Sequence, residues 1–267
     1  MTLVRRPAVA GSFYPADPTE LAAMVDAMLA AAHAAAPAAA TTPPVAIIVP
    51  HAGFVYSGPV AATAYARVRQ WQQAITRVVV IGPAHRVPVH GLALSSAAAF
   101  ATPLGPVPID HIANGLLARR AGVYTDDGAH ELEHSIEVHL PFLQRVLGLD
   151  WSLVPIIAGA ASATMVADAL EMVWGADGTL VVVSTDLSHY HDQRTASRMD
   201  AETAAMIVSA QWEEVDGDHA CGAVPVRGAL ELTRRHTDAV TLLDLRTSGD
   251  TAGPAARVVG YGSFLVS

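Results

Sequence analysis

The sequence predicts an α/β fold, a single domain over residues 1–267 in which a central, mostly parallel or mixed sheet is flanked by helices. Short runs of Val and Ile alternate along the chain with longer segments of helical periodicity. The apolar runs are continuous, which indicates strands buried on both faces of a sheet. Apolar residues make up 52% of the 267 residues and charged residues only 15%, so a core of the required size is available.

The first predicted helix covers residues 17–36. Asp17 is in position to cap it, Pro18 suits its first turn, and Glu20 completes a capping-box pattern. The following residues 37–44 are rich in Ala, Thr and Pro, which predicts a surface linker within the domain.

From residue 45 onward, predicted strands and helices alternate. Runs rich in Val, Ile and Leu predict strands at residues 45–50, 77–82, 152–157, 179–184, 239–246 and 256–267. Apolar periodicity predicts helices near residues 59–70, 134–148, 162–175 and 194–210. A less regular stretch containing GLALSS follows the second strand, and a compact loop at 217–225 follows the last helix.

The composition argues against several classes of partner. The net charge is −9, whereas nucleic acids and anionic membranes are bound through basic patches. No apolar stretch reaches the roughly 20 residues of a spanning helix, and the one near residue 8 is too short for a signal peptide. A single cysteine, Cys221, suits a reducing compartment. We therefore expect a cytoplasmic protein that binds neither nucleic acid nor membrane.

Histidines follow three of the predicted strands. His51 ends the first strand, His85 follows the second, and His189 follows the fourth, with His191 two residues later. Ligands of such sheets bind beyond the carboxyl ends of the strands, so these imidazoles are expected at one edge. Imidazole and thiolate are preferred ligands of iron, copper and zinc, and the histidines together with Cys221 therefore predict a metal site.

Each of these residues also has a simpler explanation. A histidine at a strand end is often a hydrogen-bonded structural residue, and a lone cysteine is often a small buried apolar residue. Asp186, three residues before His189, is suited to orient a histidine or to accept a proton. The pattern alone leaves a shared metal site and separate structural roles open.

Residues 130–134, HELEH, match the HExxH motif of zinc proteases, with His130, Glu131 and His134 in the required positions. The match follows Asp-Asp-Gly and so lies at a helix start, and His139 does not have the spacing of the third metzincin ligand. We therefore disfavour a protease.

The same segment has a second interpretation. On a helix, His134 would lie near Glu137, and Ser135 would lie near His139. One face would then present imidazole and carboxylate toward a site. The alternative is a polar helix start with structural hydrogen bonds.

Seven sequence blocks, in order and over nearly the whole chain, resemble the Memo family, which in bacteria is also called AmmeMemoRadiSam system protein B. The blocks are RPAVAGSFYPAD, PHAGFVYSGPVAATAY, VVVIGPAHR, ELEHSIEVHLPFL, SLVPIIAG, VVVSTDLSHY and ACGAVPV. The resemblance implies a fold similar to that of class III extradiol ring-cleaving dioxygenases, which hold non-haem Fe(II) with two histidines and a carboxylate.

The resemblance also implies the ligands and the catalytic residues. His51, His85 and Cys221 would bind the metal, His189 would be the acid/base residue, and Asp186 would support it. A thiolate softens the site relative to a carboxylate, which favours iron or Cu(I) over hard cations. With the likeness to Fe(II) dioxygenases, we expect Fe(II) first, then copper, then zinc.

Further residues are expected around this centre. By the resemblance, His134 would line the pocket, and we place Glu137, Tyr56 and His191 in the pocket or behind the ligands. The expected substrate is a small molecule or a reactive oxygen species, and the family name implies a functional link to a radical SAM protein.

Three functions remain open at this point. The preferred one is a metal-dependent oxidoreductase with His189 as general acid/base. The second is a metal-free enzyme with Cys221 as nucleophile, His189 as base and Asp186 as its orienting residue, for which rapid alkylation of the thiol would be expected. The third is a binding module that holds a metal or a peptide without turnover.

Overall fold

The computed structural model describes residues 3–35 and 42–267. The helices are α1 (Pro18–Ala35), α2 (Phe54–Val68), α3 (His111–Leu117), α4 (Asp127–Glu131), α5 (Leu140–Leu147), α6 (Ala163–Leu170), α7 (Gln193–Val208) and α8 (Ala223–His236). Short 3₁₀ turns lie at Arg69–Trp71, Glu137–His139 and Ser248–Asp250.

The strands form one large and one small sheet. They are β1 (Val4–Arg5), β2 (Ala46–Val49), β3 (Arg77–Pro83), β4 (Leu92–Leu94), β5 (Ala99–Thr102), β6 (Gly105–Pro108), β7 (Val123–Thr125), β8 (Ser152–Ala158), β9 (Thr179–Ser184), β10 (His189–His191), β11 (Val240–Thr247) and β12 (Val258–Val266). The small sheet has the order β1-β5-β6.

The large sheet is mixed and has the order β10-β12-β2-β9-β3-β8-β4-β7, with β11 paired to β12. Strands β2, β9, β3 and β8 are parallel, whereas β12 is antiparallel to β2 and β4 is antiparallel to β8. The predicted α/β class, with a mixed sheet flanked by helices, is confirmed. Since β2, β9 and β3 are neighbours and run the same way, the segments that follow them meet at one edge.

The central strands are buried on both faces. In β2, Ile47 and Val49 belong to the apolar core that includes α1, α2 and α5. Ala46 and Ile48 belong to the core that includes α6, α7 and α8. Because side chains alternate across a strand, both sets must be apolar, which explains the continuous Val and Ile runs.

Helix α2 begins five residues earlier than the predicted 59–70 and ends at Val68. The amide of Phe54 donates to the carbonyl of Phe13 at 2.8 Å, which ties the start of the helix to the N-terminal segment. Pro59, at the start of the predicted range, lies inside the helix.

The predicted helix 134–148 is wrong over its first part. Only Leu140–Leu147 is α-helical, preceded by the 3₁₀ turn Glu137–His139. The amides of His134 and Ser135 donate to the carboxylate of Glu133, and Pro141 lies in the first turn of α5. Because of these contacts, α5 begins only after residues 133–139.

Other boundaries also differ from the predictions. Helices α6 and α7 are shorter than predicted, and the side chains of Ser162 and Asp192 cap them. The predicted loop at 217–225 ends at Gly222, α8 begins at Ala223, and no helix was predicted there. GLALSS contains β4, and the less regular stretch also holds α3, α4 and β5 to β7.

The remaining sequence predictions concern the linker at residues 37–44 and membrane-spanning helices. Residues 37–41 of the predicted linker lie outside the described residues. Among residues 3–35 and 42–267, no helix is both long enough and apolar enough to span a membrane.

Candidate metal centre

Three of the predicted ligands come together at the carboxyl edge of the large sheet. One ligand atom each from His51, His85 and Cys221 lies within 4.8 Å of the others. His51 follows β2, His85 follows β3, and Cys221 lies just before α8. Strands β2 and β3 flank β9, so the sheet order itself delivers the two histidines to this edge.

The donor set fits a transition-metal ion. Nε2 of His51 is 3.3 Å from Sγ of Cys221. Two such ligands of one ion, at usual bond lengths and angles between 90° and tetrahedral, are roughly 3.1–3.6 Å apart. His51 is buried, whereas the side chain of His85 is 28% exposed, so the centre is open on the His85 side.

The backbone of Asp186 holds Cys221 in place. The amide of Asp186 donates to Sγ at 3.3 Å, and the amide of Cys221 donates to the carbonyl of Asp186 at 3.2 Å. A Cβ at Gly222 would lie 2.5 Å from the carbonyl oxygen of Ser184, so only glycine permits this close approach to the end of β9.

His51 is held by its backbone and by its ring. Its amide donates to Oδ1 of the buried Asp186 at 2.8 Å, and its Nδ1 lies 2.6 Å from Oγ of Ser184. Burial raises the pKa of Asp186. Asp186, expected to support His189, thus contacts both His51 and Cys221 directly.

His85 is oriented by Glu133, which sequence reasoning missed. Oε2 of Glu133 accepts the His85 amide at 2.6 Å, and Oε1 lies 3.0 Å from Nδ1 of His85. An ionised carboxylate only accepts, so Nδ1 carries the proton and Nε2 is free to bind a metal. Burial alone would raise the pKa of Glu133, but contacts with His134 and His85 hold it well below its usual range.

His85, Glu133 and His134 form a second group with metal-ligand spacing. Oε1 of Glu133 also accepts the amides of His134 at 2.8 Å and of Ser135 at 3.0 Å. With the two bonds from His85, Oε1 of Glu133 accepts three hydrogen bonds and Oε2 accepts one. These contacts tie Glu133 to His85 and to the backbone that follows it, so we interpret Glu133 as the residue that orients the ligand His85.

The thiol and the imidazole next to it are both neutral without a metal. Burial is the main reason that the pKa of His51 lies well below its usual value, and the nearby His134 and His85 lower it further. Burial and the Asp186 charge raise the pKa of Cys221 to about 12. The protonated thiol lies against Nε2 of His51 and the carbonyl oxygen of Asp186, and a bound ion would replace its proton.

This charge state makes metal binding depend on pH. We expect each ion bound through Cys221 to release about one proton, and the affinity to rise roughly tenfold per pH unit between about pH 7 and 9, because the thiol is protonated over that whole range. Competition titrations at several pH values measure the slope, and weakly buffered titrations measure the proton. An affinity that is flat over this range would show that the thiolate forms before the metal arrives.

His134 lines the centre, as expected from the resemblance. Its ring centroid is 5.4 Å from that of His51 and 4.8 Å from that of His85. Its Nδ1 is 3.2 Å from Oε1 of Glu133 without hydrogen-bond geometry. The ring of Phe13 packs edge-on against His134 at 4.9 Å, so the N-terminal segment forms one wall.

The predicted acid/base residue shares a cleft with Cys221. His189 and His191 lie on β10 and line a cleft of about 500 Å³ together with Met199, Gly217, Asp218 and Cys221. His189 is half-buried and His191 is exposed. Tyr56, also expected at the pocket, is 40% exposed on the first turn of α2.

The structure does not place Glu137 at this centre. Its buried carboxylate accepts hydrogen bonds from the guanidinium of Arg5, the hydroxyl of Tyr14 and the amides of Ala8 and Val9. It therefore anchors the N-terminal segment. The helical spacing that put it beside His134 does not apply, because that segment is not α-helical.

The HExxH match is not a protease site. Helix α4 ends at Glu131, so His134 lies beyond it. Nε2 of the buried His130 is 3.1 Å from the carbonyl oxygen of Ala93, and its ring packs edge-on against Phe100. The two histidines of the motif therefore do not face one ion.

The sequence is similar to known proteins over nearly its whole length. The sequence profile of the family described as Memo-like protein matches residues 5–265. A MEMO1 family protein of Methanopyrus kandleri is 36% identical, with 98% of each chain covered. MEMO1 family proteins of Ignicoccus hospitalis and Aquifex aeolicus are 34% and 32% identical, with 97% of each chain covered.

Proposed function

This chain belongs to the Memo family, and we propose that it is a metal-dependent oxidoreductase whose ion is bound by His51, His85 and Cys221. One observation carries the proposal: two oriented imidazoles and a thiol converge beside a cleft that also contains His189. The proposal retains the likeness to class III extradiol dioxygenases, a cytoplasmic location and the link to a radical SAM protein.

The donors favour particular ions. Two imidazole nitrogens and a thiolate suit Fe(II), copper or zinc and disfavour hard cations such as Mg²⁺. The likeness to Fe(II) dioxygenases is the reason that we propose Fe(II) first, then copper, then zinc. In the described part of the chain, three donor residues form the centre, and three protein ligands are typical of catalytic rather than structural sites. A bound iron or copper ion supplies one-electron chemistry that no side chain of the centre provides.

His189 is proposed to hold and move a proton in the cleft. It is half-buried, and histidine is the residue that most often transfers protons in enzymes. The cleft of about 500 Å³ has the size of a site for a small molecule. We propose a small organic molecule or a reactive oxygen species as substrate.

The geometry gives less support to the metal-free nucleophile. The imidazole hydrogen-bonded to Cys221 is that of His51 and not that of His189. Burial and the Asp186 charge raise the pKa of Cys221 to about 12, so the thiol stays protonated at neutral pH. Alkylation of the metal-free protein is therefore expected to be slow.

The test begins with protein purified under argon without a polyhistidine tag and then loaded with Fe(II), Cu(I) or Zn(II). We expect near-stoichiometric iron and, on adding nitric oxide, the EPR signal of a ferrous nitrosyl complex. A site with three protein ligands leaves a coordination position open for nitric oxide. Oxygen uptake is then screened against small-molecule substrates. Iron that does not react with nitric oxide, or binding of zinc alone, would favour the binding module.

The variant His189→Ala separates binding from turnover. We expect it to keep its iron and its nitric oxide signal and to lose oxygen uptake by a factor of about 10²–10⁴, the usual contribution of a general acid/base. His33→Ala is the control, since His33 is an exposed histidine on α1 and is not among the residues that line the cleft. Loss of iron in His189→Ala would identify His189 as a ligand and overturn its assigned role.

A further inference from the structure

Ser184, the last residue of β9, is fully buried beneath the candidate metal centre. Its Oγ has three polar neighbours: the carbonyl oxygen of Ser135 at 2.6 Å, Nδ1 of His51 at 2.6 Å and Nε2 of His139 at 2.8 Å. A hydroxyl offers one proton and two lone pairs, so these three neighbours use its full capacity.

The proton count determines every direction in this cluster. The carbonyl of Ser135 only accepts, and two oxygens 2.6 Å apart require a proton between them. The Ser184 proton therefore lies on that bond, and both ring nitrogens must donate to Oγ. We assign the proton of the neutral His51 to Nδ1, which leaves the Nε2 lone pair directed at Cys221.

His139 completes the arrangement. It is buried, and its Nε2–H occupies the second lone pair of Ser184 Oγ. If the hydroxyl turned to donate to Nδ1 of His51, it would lose its bond to the Ser135 carbonyl and turn a lone pair away from His139, so both neighbours oppose that turn. The proton of His51 would then move to Nε2, where it would block metal binding.

From this geometry we propose that Ser184 and His139 are positioning residues that keep His51 in the tautomer able to bind metal through Nε2. The proposal rests on the metal site proposed above. The two histidine ligands are oriented by different groups. The carboxylate of Glu133 orients His85, whereas the hydroxyl of Ser184, which accepts two hydrogen bonds, orients His51. The two ligands therefore have independent supports.

Two measurements test this proposal. Nitrogen-15 NMR of the imidazoles in the metal-free protein reports the tautomer of His51, which we expect to be protonated at Nδ1. Titration with Co(II) alone, followed by its thiolate charge-transfer absorption, reports the affinity. We expect Ser184→Ala to lower that affinity about 10–100-fold, the usual effect of losing a partner behind a metal ligand, and to populate the second tautomer.

Ser188→Ala is the matched control for Ser184→Ala. Ser188 is almost equally buried, and its hydroxyl has no hydrogen-bond partner within residues 3–35 and 42–267. We expect Ser188→Ala to leave both the tautomer and the Co(II) affinity unchanged. His139→Phe should show a smaller loss of affinity than Ser184→Ala, and His139→Gln, which keeps an N–H donor, should recover part of it.

The outcomes separate this proposal from the proposed function. A wild-type His51 protonated at Nε2, or Co(II) binding by Ser184→Ala as tight as by Ser188→Ala, would overturn the positioning role. A wild type that binds no metal would overturn the proposed function. In that case the NMR tautomer still decides whether Ser184 and His139 orient His51.

Discussion

Cys221→Ala is expected to lower the affinity for Fe(II) or copper on the order of a thousandfold. The thiolate is one of three ligands, and metal binding at thiolate and imidazole sites reaches roughly 10–16 kcal/mol, of which about a third is lost. Metal content after anaerobic purification and competition titrations measure the change. His51→Ala should show a comparable loss.

The fold should tolerate this change. Cys221 is only partly buried and lies in a loop at the cleft, so alanine leaves little empty space in the core. Asp218→Asn is the matched control, because Asp218 is an exposed residue lining the same cleft. It should keep wild-type metal affinity. Full metal retention by Cys221→Ala would remove the thiolate from the site and return attention to a metal held by histidines.

Glu137→Ala is expected to destabilise the protein by about 3–5 kcal/mol, the usual cost of breaking a buried ion pair from one side. The side chains of Glu137 and Arg5 are 0% and 6% exposed, so the guanidinium would remain buried without its partner. The hydroxyl of Tyr14 and the amides of Ala8 and Val9 would also lose their acceptor.

Chemical denaturation of the metal-free protein measures this loss as a change in the free energy of unfolding. Glu131→Ala is the matched control, since Glu131 is an exposed glutamate in the same segment, and it should change stability by less than about 0.5 kcal/mol. A loss below about 1 kcal/mol for Glu137→Ala would show that other contacts anchor the N-terminal segment. Phe13, in the N-terminal segment, packs against His134 beside the candidate metal centre. Loss of the Glu137 contacts should therefore also loosen this wall of the centre.

Much of the fold follows from local sequence patterns. The Val and Ile runs mark β2, β3, β8 and β9 because strands buried on both faces admit few polar residues. Helix α8 was missed because Pro225 and Gly228 interrupt its pattern with residues that usually mark loops. Gly228 is needed there because a Cβ would lie 2.3 Å from the side chain of Val166 on α6, a contact that only packing reveals.

The positions of Glu133 and Glu137 could not be predicted from local sequence spacing. Helical spacing paired His134 with Glu137, but the segment turns before the helix begins, and Glu137 faces Arg5 instead. Glu133 was passed over as a wildcard of the HExxH match. Its position next to His134, inside the block that resembles the Memo family, was the available signal.

The sequence by itself determined that His51 and His85 lie at one edge of the sheet, because a buried strand must end where its apolar run ends and both histidines stand just beyond such ends. Tertiary structure alone decided how these ligands are oriented. Glu133 contacts a histidine 48 positions away, and Ser184 contacts one 133 positions away. A hydrogen bond is directional and acts only over about 3 Å, so its partner depends on how distant segments meet and not on spacing along the chain.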